Sequence, residues 1–241
     1  MNFSFSAAPA TRTSMFLNPW EIYKVKFTDA KIGERKNNKD ATAAPYKVLE
    51  FHFEEIKEDG TKGGVYTETV FFSTEQSAVR PTYERPDGGS YQMPSSLERT
   101  MSIIAQVCSV LNPAGYKKMQ EVSTKFKSFD DVANAVVKVL TSAKGKETHI
   151  KLVGTTSNGK VMANSPRTVA LTKTGEIWTC DNFIGDNLSF SSYEEQKRKE
   201  YKTAAPVSVE SNNLDMGSSK PANNATSDAI GDDFDLENLT V

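Results

Sequence analysis

The chain has 241 residues, 37% hydrophobic and 10% aromatic, enough apolar material for one large core or two small ones. No apolar run approaches the ~20 residues that a membrane-spanning helix needs, and residues 1–14 lack the basic start and apolar stretch of a signal peptide. Two cysteines, Cys108 and Cys180, and two histidines, His52 and His149, argue against a disulfide framework and a zinc site. A reducing, cytoplasmic setting is expected, the host's cytoplasm if the source is viral. The formal net charge of −2 is unevenly spread: residues 206–241 carry seven acids against Lys220 alone, a net −6, which leaves +4 on residues 1–205. A basic body can hold a polyanion while an acidic end competes for the same surface.

In chain order, residues 1–18 read as a flexible arm. Residues 21–31 form a first strand, with Tyr23, Val25 and Phe27 on one face and Lys24 and Lys26 on the other. Residues 33–44 are a polar connection carrying Arg35, Lys36 and Lys39, with Lys31 just before it. In a second strand, 45–57, Leu49, Phe51 and Phe53 alternate with Glu50, His52 and Glu54. Asp59-Gly60 turns the chain into a third strand, 65–73. Residues 74–94 form a long connection with Pro81, Pro86, Gly88 and Gly89, of a length that is uncommon unless functional or disordered.

Ser95 and Glu98 have capping-box spacing and open a helix. Leu97, Met101, Ile104, Cys108 and Leu111 lie along one side and Ile103, Val107 and Val110 along another, so it should be largely buried. Asn112-Pro113 stops it. A second helix starts near Ser128, carries the stripe Phe129, Val132, Val136 and Leu140, and ends at Gly145. Strands follow at 148–154, 167–172 and 176–183, the last two joined at Thr174-Gly175. Residues 192–202 form a polar helix with Glu194–Arg198 and Glu195–Lys199 pairs. Beyond 204 the Ser/Asn/Ala/Asp-rich composition predicts disorder.

A helical segment between strands three and four is the order of an OB-fold, and the periodicity alone also fits another small α+β sheet. The expected class is α+β, mainly β: an OB-fold-like five-stranded barrel with a helical insertion between strands three and four. The expected layout is an arm at 1–18, one domain at 19–203 and a disordered acidic tail at 204–241.

The segment Gly154-Thr155-Thr156-Ser157-Asn158-Gly159-Lys160 matches G-x-x-x-x-G-K after a strand. A phosphate-binding loop needs Ser or Thr next and a helix to follow. Val161 follows instead, Pro166 interrupts, and Asn158-Gly159 is a favoured hairpin dipeptide. Cys108 sits in an apolar helix, where a thiol is usually inert packing. Glu54 and Glu55 point to opposite faces of a strand, and Asp130 and Asp131 suit a helix start. No general acid–base pair is assembled. The expectation is a non-enzyme without cofactor or metal.

Single strands of nucleic acid are held by cations along the backbone and by aromatic rings under the bases. Candidate rings are Tyr23, Tyr46, Tyr66, Tyr83 and Tyr91. Candidate phosphate contacts are Lys24, Lys26, Lys31, Arg35, Lys36, Lys47, Arg80 and Arg85. Phe51, Phe53, Phe71 and Trp178 are assigned to core. In the tail, Asp232, Asp233, Phe234, Asp235 and Leu236 mix acids with apolar anchors, a composition suited to docking on a basic, greasy partner.

With its Tyr23-Lys24-Val25-Lys26-Phe27 strand, the 46–53 and 65–72 strands, the 97–111 helix, the Ala143-Lys144-Gly145-Lys146 return into a strand at 153 and the acidic end, the chain resembles phage-type single-stranded DNA-binding proteins. The resemblance spans about residues 20–190 plus the tail. It implies an OB-fold that coats single-stranded DNA in replication, recombination or repair, without catalysis. It also implies an acidic end that competes with DNA and recruits replication proteins such as a polymerase or helicase. No membrane partner is implied, and a homo-oligomer is compatible with it. The chain departs from the pattern at its end, Asn238-Leu239-Thr240-Val241, and in its second helix. The alternative is a virion or other structural interaction protein that does not bind nucleic acid.

Overall fold

The computed structural model describes residues 16–36, 44–59, 62–84, 88–157, 160–166, 169–171 and 178–203, with backbone alone at 62, 91, 157, 160, 169–171 and 178–180. Expectations for the arm before residue 16, Lys39, Arg85, the Gly60, Asn158-Gly159 and Thr174-Gly175 turns, the Trp178 side chain and the acidic tail lie outside the described residues.

The strands are β1 (Glu21–Arg35), β2 (Tyr46–Ile56), β3 (Lys62–Phe71), β4 (Thr82–Glu84), β5 (Ser90–Gln92), β6 (Glu147–Ser157), β7 (Lys160–Asn164), β8 (Val169–Leu171) and β9 (Trp178–Cys180). The α-helices are α1 (Ser96–Leu111), α2 (Pro113–Glu121), α3 (Phe129–Leu140) and α4 (Ser192–Thr203). Five strands form one antiparallel sheet in the order β3-β2-β1-β6-β7, curled into a half-barrel. β4–β5 and β8–β9 are separate two-stranded ribbons. Helices α1 to α3 lie in sequence between the third and fourth strands of the main sheet.

The curl originates in β1. Its first part pairs with β6 from Glu21↔Leu152 to Lys26↔Glu147, and its later part pairs with β2 from Val25↔Glu55 to Arg35↔Tyr46. The strand passes from one neighbour to the other at Val25 and Lys26, next to a bulge between Phe27 and Asp29. A bulge bends a strand and increases its local twist. The extra residue, Thr28, donates its hydroxyl to the His52 carbonyl at 3.1 Å.

Apolar residues on the concave face, among them Val25, Phe27, Leu49, Phe51, Phe53, Ile150 and Leu152, are almost fully buried. Phe27 and Phe53 meet edge to face at 5.7 Å. Each ring fully removed from water contributes roughly 1.5–3 kcal/mol before entropy is counted. The helices close this face with Ile104, Val107, Cys108 and Leu111 from α1 and Ala133, Val136 and Leu140 from α3.

The helix starts follow their sequence signals. Ser95 and Glu98 form a capping box, as do Ser128 and Asp131. Asn112-Pro113 ends α1 but also starts α2, which the sequence reading lacks. The Asn112 side chain accepts from Gly115 N at 2.9 Å and donates to the Val139 carbonyl at 2.8 Å. Pro113 fits the first helical position, where its missing N–H costs nothing. The 74–94 connection contains a 3-10 turn, Glu75–Ala78, and the β4–β5 ribbon. Strands expected at 167–172 and 176–183 are the short β8 and β9, outside the main sheet; its fifth strand is β7. No described helix is long and apolar enough to cross a membrane.

Candidate nucleic-acid interface

The bulge decides which cations share a face. Before it, even-numbered residues of β1 point to the convex side and Val25 and Phe27 point inward; after it, Ala30 is the buried residue. A one-residue slip reverses the facing of everything that follows. Lys31 and Arg35 therefore join Lys24 and Lys26 on the convex face. β2 adds Tyr46, Val48, Glu50, His52 and Glu54, and β3 adds Thr67, Thr69 and Phe71, in the register Val48↔Phe71, Glu50↔Thr69 and His52↔Thr67.

Glu50 is the hub of this face. Its side chain is only 9% exposed, and it holds Arg35 Nη2 at 2.6 Å, Lys31 Nζ at 3.7 Å and His52 Nε2 at 3.2 Å, the last without hydrogen-bond alignment. The other ring nitrogen of His52 lies 3.1 Å from the Thr67 hydroxyl. Lys24 pairs with Glu147 at 2.7 Å, which holds that carboxyl below its ordinary range, and Lys26 pairs with Glu54 at 3.5 Å. Lys144 binds Asp29 at 2.8 Å and lowers its pKa likewise. The Lys24–Glu147, Lys26–Glu54 and Lys144–Asp29 pairs are exposed, screened by water and weak. Lys24, Lys26 and Lys144 can therefore exchange a carboxylate for a phosphate at little cost, whereas Lys31 and Arg35 also neutralise the nearly buried Glu50 and serve a phosphate best while keeping it. Lys36, at the end of β1, is exposed and has no ion pair among the described residues.

Beside Arg35, the half-buried Tyr46 meets Phe71 edge to face at 6.5 Å. Phe71 thus stands on the convex face, where the sequence reading assigned it to core. Two of the candidate tyrosines turn the other way. Tyr66 points inward, stacked on Phe53 at 6.5 Å; its hydroxyl donates to Glu68 and accepts from Ser165 N at 2.9 Å. Burial, and then the Glu68 charge, push its pKa well up. It cannot serve as a surface platform for a base. Tyr23 packs against the core, with its hydroxyl donating to the Asn18 carbonyl at 3.2 Å.

The remaining candidates are dispersed. Lys47 reaches Asp130 of α3 at 2.7 Å and lies over the Phe72 ring. Arg80 chelates Glu98 at the start of α1. Tyr83 is exposed in the β4–β5 ribbon, and its register partner is Tyr91. The sheet therefore brings together Lys24, Lys26, Lys31, Arg35 and Tyr46. It does not add Tyr23, Tyr66, Lys47, Arg80 or Tyr83 to them.

The described flanks of the G-x-x-x-x-G-K segment are paired antiparallel strands. Ser157 pairs with Lys160, and Val161 continues in β7, where a phosphate loop would need a helix. Gly154 serves packing: a Cβ there would fall 2.3 Å from Trp20 Nε1 and 2.8 Å from Val161 Cγ1. Burial drives the Cys108 thiol up to about 12, so it is no nucleophile near neutral pH. Among the described residues, no group of three or more His, Cys, Asp or Glu side chains could hold a metal ion.

The sequence reading also misses the support under α4. Lys151 is on the convex side of β6, beneath α4, and binds Glu194 at 3.0 Å and the Ser189 carbonyl at 3.1 Å. Arg198, expected to pair with Glu194, instead binds the Trp20 carbonyl, Glu21 and Glu195. No protein-family model, curated protein or solved structure matches this chain.

Proposed function

We propose that this chain is a non-catalytic single-stranded DNA-binding protein of replication, recombination or repair, and that the convex face of an OB-like half-barrel holds the strand. The observation that carries this reading is the bulge-phased row Lys24, Lys26, Lys31 and Arg35 beside Tyr46 and Phe71. Cations along a track supply affinity for any sequence, and rings beside it take bases.

The sheet order supports the OB-like assignment. Strand three, two, one, four and five are successive neighbours, helices intervene between three and four, and the Tyr66–Ser165 hydrogen bond joins β3 to the chain just after β7. OB-folds bind oligonucleotides across the face of strands two and three. The acidic tail competes with the strand for the same cations, and its Asp232, Asp233, Phe234, Asp235 and Leu236 recruit replication proteins such as a polymerase or helicase.

The test is anisotropy titration of a labelled oligo-dT with the wild type and with Lys31→Ala/Arg35→Ala. Each cation that contacts a phosphate contributes about 0.7 to the magnitude of the log–log salt slope. The double variant binds more weakly, with its slope smaller by about 1.4. An unchanged affinity and slope would remove this face from the proposal.

A further inference from the structure

Helix α4 is held to the sheet almost entirely by polar contacts. Lys151 and Glu194 pair beneath it, each less than 5% exposed. Arg198 donates to the carbonyl of Trp20, a residue in the left-handed region at φ 64°, and Lys202 binds Glu21 at 2.7 Å. Phe190 lies under the cations of both Lys151 and Arg198, at 5.8 and 5.1 Å. These contacts place α4 over Ile22 and Lys151, which are paired in register. The next outward residue of β1 is Lys24, the first cation of the row. A solvent-open groove of about 340 Å³ between helix and strand is lined by Ile22, Phe190 and Arg198, together with Glu21, Ser189 and Glu195.

With its polar side engaged, α4 turns Tyr193 and Tyr201 to solvent, 63% and 39% exposed. Lys197 lies between them, with Nζ 5.9 Å from the Tyr193 ring centroid. Positions four apart share a helix face, so these three residues form a ring–cation–ring stripe about 12 Å long. Lys199 is exposed beside it and has no ion pair among the described residues. The buried Glu194 and the part-exposed Glu21 hold the helix down, Glu195 steadies Arg198, and the open side presents Tyr193, Tyr201, Lys197 and Lys199 beside Glu200.

We propose that this stripe of α4 is a second contact segment for single-stranded nucleic acid, continuing the track beyond Lys24. The inference rests on the function proposed above. Its occupant follows from the exposed rings and lysines of the stripe, which suit bases and phosphates, and from the seat of α4 over Ile22, one outward position before Lys24. A strand leaving Lys24 crosses the groove and stacks bases on Tyr193 and Tyr201 while Lys197 exchanges Glu200, its partner at 2.8 Å, for a phosphate.

The experiment compares full-length wild type, Tyr193→Ala/Tyr201→Ala and Tyr193→Phe/Tyr201→Phe by titration with a short and a long oligo-dT. Circular dichroism confirms that each is folded. The alanine variant loses at least about fivefold in affinity per ring for the long oligonucleotide. It binds the short one, which the sheet alone accommodates, like the wild type. The phenylalanine variant keeps the rings and retains wild-type affinity for both. Unchanged long-oligonucleotide binding in the alanine variant overturns the α4 segment and leaves the sheet reading intact. Equal losses in the alanine and phenylalanine variants also overturn it, because stacking would not be the cause. A wild type that binds neither oligonucleotide overturns both readings.

Discussion

Replacing Glu194 with alanine tests whether the Lys151 pair holds α4 in place. Lys151 Nζ has two acceptors, Glu194 at 3.0 Å and the Ser189 carbonyl at 3.1 Å, and otherwise faces the Phe190 ring. Without the carboxylate, a buried ammonium keeps one neutral acceptor, one ring face and the more distant charge of Asp181. Breaking a buried pair in this way costs about 3–5 kcal/mol. Glu194 also accepts from Ser191 N at 2.7 Å, so the start of α4 loses the reciprocal arm of its capping box while the Ser191 hydroxyl still accepts from the backbone of residue 194. A terminal helix has an escape that a core element lacks: it can detach and let water reach Lys151. The global loss is therefore limited to what α4 docking contributes. Urea denaturation combined with amide hydrogen exchange separates the two responses. Glu194→Ala lowers unfolding free energy by up to about 3–5 kcal/mol, and protection across 192–203 collapses first. The paired replacement Lys151→Met/Glu194→Leu removes both charges and restores stability to near wild type. Wild-type stability and α4 protection in Glu194→Ala would show that the Lys151–Glu194 pair does not hold the helix.

The Arg80 hydrogen bonds lower the Glu98 carboxyl from 4.5 to about 2, against the opposing effect of burial. A folded-state pKa below the unfolded one gives stability that is fully present above pH 4.5 and lost as pH falls towards 2; Glu98→Gln flattens the acid limb of a denaturation series in that window, modestly because the pair is exposed. Cys108, buried and raised to about 12, resists iodoacetamide at pH 8 until denaturant is added, as read by peptide mass spectrometry; rapid native labelling would contradict its burial. Deleting residues 206–241 removes a net −6 and tightens oligo-dT binding at low salt; unchanged or weaker binding would argue against competition by the tail.

Strand alternation and capping boxes were legible because each depends on a few neighbouring residues. Leu49, Phe51 and Phe53 reveal their face by period two, and Ser95–Glu98 and Ser128–Asp131 reveal their caps by spacing. The bulge at Thr28 was not legible. It is set by pairing with a strand twenty-odd residues away, and it puts Lys31 and Arg35 in phase with Lys24 and Lys26. Tyr66 misled because its inward neighbour is an acid. Glu68 is buried against the Tyr66 hydroxyl, so one polar residue in the inner row disguises the face. Asn112-Pro113 serves as both stop and start, and local sequence does not say whether a helix follows. α4 has no apolar stripe, so its docking through Glu194 and Arg198 depends on partners remote in sequence.

In the function proposed above, the convex cation row holds the phosphates of a single strand. A salt series of the full chain's affinity for the short oligo-dT, which the sheet alone accommodates, measures that contact. With Lys24, Lys26, Lys31 and Arg35 each neutralising one phosphate, the log–log slope is about −3, and the tailless chain binds more tightly at every low-salt point. Absence of binding at low salt in both chains, or binding indifferent to salt, would contradict the account.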